Sequence, residues 1–146
     1  MVLSEEHGES SVVVLREEHG ERILPIAVGY CEAATIQRLL AERVDGRIAL
    51  RPLTHELLIR AIGGLRGRIE RGIITRLEQE TFFAQLILRQ DSPPGGTDEP
   101  PPSGRADDRS EIALDARPSD VICVCLAAGC RLYALRSLLE QVTDED

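Results

Sequence analysis

The 146-residue chain contains no tryptophan and no lysine, and only 3% of its residues are aromatic. An apolar core therefore has to be built from leucine, isoleucine, valine and alanine, and the 42% hydrophobic content is sufficient for one domain of this length. The scarcity of aromatic rings argues against a module that stacks single-stranded nucleic acid on exposed side chains. We expect a single globular domain with an aliphatic core.

Neither a membrane span nor a secretion signal is visible. No apolar run is long enough to cross a bilayer, and the N-terminus lacks basic residues followed by an apolar run. We therefore expect a cytoplasmic protein without membrane contact, in which the cysteines are reduced. The pair Cys123-x-Cys125 does not have the spacing of a zinc site and no second pair follows it, so these thiols are interpreted as small core residues.

The signatures of several common enzyme classes are absent as well. The chain has no glycine-rich phosphate loop, no dinucleotide-binding fingerprint and no Ser-His-Asp order, and we expect no organic cofactor. Residues 5–9 are repeated without change at residues 17–21, where a histidine stands among glutamates. We interpret the second copy as a hairpin turn closed by Gly20 rather than as a metal site.

The charge is negative overall but unevenly distributed. A net charge of -8 argues against non-specific binding of polyanions through a basic surface. Residues 47–89, however, carry eight arginines against four glutamates. A guanidinium group suits bidentate contact with phosphate or carboxylate, although a plain surface preference for arginine explains the same composition.

Hydrophobic periodicity predicts an α+β fold, in which a mixed or antiparallel sheet of hairpins packs with about four helices. The strands are predicted at residues 11–16, 22–28, 68–77, 81–89, 111–114 and 131–134. The helices are predicted at residues 30–44, 54–65, 118–128 and 136–142. The third helix is apolar on nearly all sides and should be the central buried element, beginning at Pro118 and ending at Gly129. In the second helix Thr54 is the expected N-cap, and the expected buried face comprises Leu57, Leu58, Ala61, Ile62 and Leu65.

Composition sets the expected limits of the domain. Residues 1–10 are polar and should be flexible, and the folded domain should cover residues 11–142. The segment at about 91–109 is rich in proline, glycine and aspartate, and we expect a disordered insertion there. Residues 143–146 form an acidic tail.

Two similar stretches, residues 51–56 and 115–120, each lead from an arginine and a proline into an apolar helix. Each leaves a carboxylate in the first turn of that helix, and Glu32 occupies the same kind of position after Gly29. The side chains with potential catalytic chemistry are concentrated at these junctions.

At these residues the chain resembles the bifunctional nuclease domain family. The resemblance runs in order over about residues 11–142. Its motifs are Val14-Leu15-Arg16, Leu24-Pro25-Ile26 with Val28-Gly29, Glu32-Ala33, Arg51-Pro52-Leu53-Thr54-His55, Thr81-Phe82-Phe83-Ala84 and Asp115-Ala116-Arg117-Pro118-Ser119-Asp120. The family takes its name from members that degrade both DNA and RNA, so the resemblance implies a nuclease with little sequence preference.

Phosphodiester hydrolysis needs a positioned water, stabilisation of charge on the phosphoryl oxygens and help for the leaving oxygen. Carboxylates that hold Mg²⁺ or Mn²⁺, together with an arginine on the phosphate, meet these needs. The candidate catalytic residues are Glu32, His55, Glu56, Asp115 and Asp120. The candidate metal ligands are Glu56, Asp115 and Asp120, and the candidate phosphate contacts are Arg51 and Arg117. His55 is the candidate general acid or base near neutral pH.

The same residues also suit a structural interpretation. Asp120 and Glu56 can satisfy the free N–H groups of their helices, and Arg51 and Arg117 can fix the two stretches by ion pairs to Asp115 or Asp120. The alternative functions are a non-catalytic module that binds an anion or a protein, and a structural oligomer. Hairpins with exposed edges often associate, so we expect a homo-oligomer, with a dimer favoured.

Overall fold

The computed structural model describes residues 2–5, 10–45, 51–91 and 111–144. In chain order the elements are β1 (Val2–Glu5), β2 (Ser10–Arg16), β3 (Ile23–Gly29), α1 (Tyr30–Asp45), α2 (Thr54–Gly64), β4 (Gly67–Glu78), β5 (Thr81–Gln90), β6 (Glu111–Ala116), α3 (Pro118–Ala128), β7 (Arg131–Ala134) and α4 (Arg136–Asp144). The predicted α+β class is confirmed, and the described residues form a single domain.

The first sheet is antiparallel, with the strand order β1-β2-β3. In β3 the buried residues alternate with exposed ones, because successive side chains point to opposite faces of a strand. The turn before β3 is closed by Arg22, which donates to both carboxylate oxygens of Glu17 at 3.1 and 2.9 Å. The predicted hairpin turn in the Glu-His-Gly repeat is therefore confirmed.

The second sheet has the order β6-β5-β4-β7, in which β7 is parallel to β4 and the other pairs are antiparallel. The turn between β4 and β5 places Gln79 and Glu80 at φ values of 49° and 62°. These left-handed conformations match the twist of a tight hairpin. Because the β4–β7 pair is parallel, the second sheet is mixed, which is one of the two alternatives that the sequence predicts.

Helix α3 lies at the centre of the domain, where it contacts α1, α2, β4, β5 and β7. Ile122 and Cys123 are fully buried. Pro118 starts the helix and Gly129 ends it at φ 70°, as predicted. The helix approaches β4 closely because Gly72 has no side chain: a Cβ there would lie 2.3 Å from Cγ1 of Val121.

Several boundaries differ from the prediction. Val2–Glu5 pairs with β2 as a strand, although the sequence predicts a flexible N-terminus, because an edge strand is stabilised by backbone pairing whatever its side chains. Helix α4 continues to Asp144, into the predicted acidic tail. The predicted disordered insertion lies, apart from Asp91, outside the described residues.

Helix α2 differs more from the prediction. Its first helical residue is Thr54, and Leu53 occupies the capping position. None of its residues is buried, and the predicted buried face is largely exposed. Of the predicted face only Ile62 is half-buried, and Ile59, which the prediction left out, is half-buried beside it. Periodicity indicated an apolar stripe correctly, but it could not indicate which side meets the core.

Within the described ranges, no helix combines the length and apolarity that crossing a bilayer requires.

Candidate functional site

The first turns of three helices meet at one place. Helix α1 contributes Glu32, α2 contributes His55 and α3 contributes Asp120, and all three side chains lie around or beside Arg117. Arg117 is the last residue before α3, where Pro118 fixes the start of the helix. The positive end of each helix dipole favours a carboxylate or another anion at this position.

Arg117 binds Asp120 through two parallel hydrogen bonds. Its Nε donates to Oδ2 at 2.7 Å and its Nη2 donates to Oδ1 at 2.9 Å. This bidentate contact lowers the pKa of Asp120 and, in turn, raises the pKa of Arg117. The guanidinium side chain is still 65% exposed, so a ligand can approach it from solvent.

Glu32 joins the cluster from α1, since Nη2 of Arg117 donates to its Oε1 at 3.0 Å. The carboxylate lies against the backbone of Gly29, where a Cβ atom would come within 2.5 Å of Oε2. The glycine before α1 therefore lets Glu32 turn back toward Arg117. The spacing of Gly29 and Glu32 is visible in the sequence, but the sequence does not show that Arg117 is the partner of Glu32.

His55 faces the same pair of oxygens from α2. Its Nε2 lies 3.7 Å from Oδ1 of Asp120, and the imidazole is 20% exposed. The contact is an ion pair when the imidazole is protonated and lies just beyond hydrogen-bond length. A neutral or protonated imidazole beside a carboxylate is the arrangement that positions a histidine for proton transfer.

Glu56 turns away from Asp120 and joins α1 to α2. Its Oε2 accepts the backbone N–H of Leu53 at 2.5 Å, which satisfies a free donor at the start of α2. Its Oε1 lies 3.4 Å from Nη1 of Arg38, which also donates to Glu42 at 2.5 Å. Sequence reasoning missed Arg38, because nothing in a helical pattern distinguishes it from a solvated arginine.

Asp115 and Arg51 lie apart from the cluster. Asp115 belongs to β6 rather than to the junction before α3, and its Oδ1 accepts from Nε2 of Gln85 at 3.4 Å. Arg51 is exposed ahead of α2. The structure thus brings together Glu32, His55 and Asp120 with Arg117, and leaves the other candidates on neighbouring surfaces.

The arrangement does not fit a preformed site for a divalent cation. Glu56 and Asp115 do not accompany Asp120, and among the described residues no three His, Cys, Asp or Glu side chains are grouped so that they could hold a metal. The carboxylates of Glu32 and Asp120 already have the Arg117 guanidinium as counter-ion. Cation binding there would have to displace that arginine.

A groove of about 530 Å³ opens beside Arg117. It is lined by residues 25–29 of β3, residues 80–82 at the β4–β5 turn, Val12, and the start of α3 from Arg117 to Ser119. The exposed β3 residues here are Pro25, Ala27 and Gly29, none of which carries a long side chain. The groove therefore leads from an apolar strand face to an exposed guanidinium.

Residues 13–145 match the sequence profile described as the bifunctional nuclease domain. Two uncharacterized proteins of Mycobacterium tuberculosis, MT1877 of strain CDC 1551 and Rv1829 of strain H37Rv, are each 34% identical to this chain over 130 residues. The alignment covers 89% of this chain and 65% of each relative. The chain therefore spans less than two thirds of the length of these relatives.

Proposed function

Since this chain belongs to the bifunctional nuclease domain family, we propose that it is a nuclease that hydrolyses phosphodiester bonds in DNA, RNA or both, with little sequence preference. The observation that carries the proposal is the meeting of His55, Glu32 and Asp120 around the exposed Arg117, beside an open groove. An acid–base group and a cation then lie together where three helix N-termini favour an anion.

In this proposal Arg117 contacts the phosphate. A guanidinium group can share its N–H donors between a carboxylate and a phosphoryl oxygen, and its 65% exposure leaves room for the second partner. Glu32 and Asp120 hold the group in place, but they also compete with the phosphate for it. We therefore expect modest affinity for substrate.

His55 is the proposed proton-transfer group, and Asp120 positions it. A water or a leaving oxygen beside the Arg117–Asp120 pair would exchange a proton with the imidazole. The carboxylate of Asp120, 3.7 Å from Nε2, orients the imidazole for such an exchange. The carboxylates do not form a cage for Mg²⁺ or Mn²⁺, so the proposal includes no step on either ion. Cleavage in the presence of a chelator measures whether the activity depends on a divalent cation.

The test is cleavage of single-stranded DNA, double-stranded DNA and RNA by purified protein, with Mg²⁺, with Mn²⁺ and with a chelator. His55→Gln and Arg117→Gln should each abolish most of the activity while circular dichroism shows a folded chain. His19→Gln is the matched control, because His19 is an exposed histidine in the β2–β3 turn. Full activity in folded His55→Gln would contradict the proposal.

A non-catalytic anion-binding module is the second candidate, and the pairing of Arg117 with two carboxylates favours it. On this view the cluster recognises an anion without transforming it. Absence of cleavage under every condition, combined with oligonucleotide binding that is lost in Arg117→Gln, would support this candidate over the nuclease.

A further inference from the structure

The side of α2 that faces solvent is apolar. Leu57 is 57% exposed, Leu58 is 45% exposed, and the flanking residues Leu53 and Leu65 are 47% and 74% exposed. At about 100° per residue, Leu57, Leu58 and Ala61 fall within a stripe about 100° wide, and the capping residues Leu53 and Leu65 continue it at the two ends of the helix. No charged side chain interrupts it, and we call these five residues the α2 stripe.

The opposite side of α2 holds the helix to the domain with few apolar residues. Ile59 and Ile62 are half-buried, His55 faces Asp120, and Glu56 faces Arg38 of α1. The solvent side is therefore more apolar than the inner side, which reverses the usual arrangement in a surface helix. A contiguous exposed patch of this kind marks an interaction surface rather than ordinary scatter of surface leucines.

We propose that the α2 stripe binds the same stripe of a second copy of this chain, with the two helices antiparallel across a two-fold axis near Ala61. The stripe is narrow at Ala61 and Gly64, between the bulky Leu57 and Leu58 on one side and Leu65 on the other. An antiparallel pairing about this axis sets Ala61 against Ala61 of the second copy, so that the two helices can approach closely there.

Charge supports the same partner and the same direction. An antiparallel pair aligns the positive end of each helix dipole with the negative end of the other. The stripe itself is neutral, so two copies meet there without burying a charged side chain in the apolar centre.

The exposed area is sufficient for the centre of a dimer interface. Added together, the exposed surfaces of the four leucines equal the surface of roughly two fully exposed leucine residues in each copy. A standard interface buries about 800 Å² per partner, with an apolar centre and a polar rim. Pairing the stripes would supply that centre, and Arg60 and Arg66, both exposed, border it.

The pairing would also steady the candidate site. Helix α2 carries His55 and Glu56 on the side opposite the stripe, and none of its residues is buried in the single chain. A second copy packed on the stripe would restrict motion of the helix and therefore of His55. Self-association can be measured without catalytic activity, so the outcome of that measurement is independent of the proposed nuclease.

The test is sedimentation equilibrium of the full chain over a wide concentration range. We expect a monomer–dimer equilibrium, with Leu57→Glu and Leu65→Glu each weakening the dimer by more than about tenfold, because a charge would be placed in the apolar centre. Ile23→Glu is the matched control, since Ile23 is 47% exposed on β3 and lies outside the stripe. It should leave the equilibrium unchanged.

A second measurement places the axis. In a Cys31→Ser background, Ala61→Cys should form a disulfide-linked dimer under oxidising conditions, and Ala34→Cys, an exposed alanine on α1, should not. A chain that stays monomeric at all concentrations would overturn the proposal. So would a dimer that Leu57→Glu and Leu65→Glu do not weaken.

Discussion

Arg117 and Asp120 lie three residues apart and form a bidentate pair at the start of α3, with N–O distances of 2.7 and 2.9 Å. The pair ties the loop before the helix to its first turn. It also explains why Glu32 and His55 gather here, because each faces one member of the pair. The structural alternative predicted this ion pair, and the catalytic role of the same residues is our proposal.

The pair predicts a stability that depends on pH. Arg117 holds the pKa of Asp120 below its ordinary value. The contribution of the pair is therefore present above the unfolded pKa, which is about 4, and is lost as the pH falls through the lower folded value. Asp120→Asn should reduce the free energy of unfolding by about 1 kcal/mol at pH 7, since the partly exposed pair is screened by solvent.

Urea unfolding of wild type and Asp120→Asn at a series of pH values measures this difference. The two curves should converge below pH 4. A difference in the free energy of unfolding that stays constant from pH 7 to pH 3 would mean that the charge of the Asp120 carboxylate does not contribute to stability.

Gly72 should not tolerate a larger residue. In Gly72→Ala the new Cβ would lie 2.3 Å from Cγ1 of Val121 and 2.7 Å from Sγ of Cys125, both in the buried centre of α3. Overpacking of this kind costs about 1–3 kcal/mol, which urea or thermal unfolding can measure.

Gly63→Ala is the matched control, because a Cβ there has no neighbour within 4 Å. Since alanine loses less backbone entropy in a helix than glycine does, this variant should be more stable than wild type by about 0.5–1 kcal/mol. Equal effects at the two positions would contradict the close approach of α3 to β4.

Cys130 should be an unusually reactive thiol. The neighbouring thiol of Cys125 lowers the pKa of Cys130 to about 7, although partial burial opposes this shift. The thiolate therefore forms at neutral pH, and alkylation of Cys130 by iodoacetamide, followed by mass spectrometry, should reach half its maximal rate near pH 7.

Cys125→Ala removes the neighbouring thiol, so the midpoint should rise toward about 8.5, the value of a free cysteine. Cys123→Ala changes a buried thiol of the same helix and should leave the midpoint in place. A midpoint unaffected by Cys125→Ala would refute the influence of Cys125 on Cys130.

Filling the groove should inhibit the proposed nuclease without unfolding the chain. Ala27→Trp places an indole on the outward face of β3, inside the groove beside Arg117. Cleavage should fall at least about tenfold through loss of substrate binding, with a rise in KM. Ile23→Trp, on the same face of β3 but outside the groove, should cleave at the wild-type rate.

The sequence by itself determined the elements, because their signals are local. Pro118 and Gly129 set the ends of α3 through their own backbone preferences, and both ends were predicted to the residue. The turn residues before β3 likewise depend on near neighbours. Apart from the unpredicted strand β1, the predicted order of strands and helices agrees with the structure to within a few residues.

Only the tertiary structure decided which of these elements meet. Glu32 and Arg117 are 85 positions apart, and no local pattern indicates that their helices start at the same place. Asp115 resembles Asp120 in sequence but lies in β6, because pairing with β5 extends that strand to Ala116. The apolar stripe of α2 was likewise visible in the sequence, yet its direction depends on how the helix packs against α3 and β4.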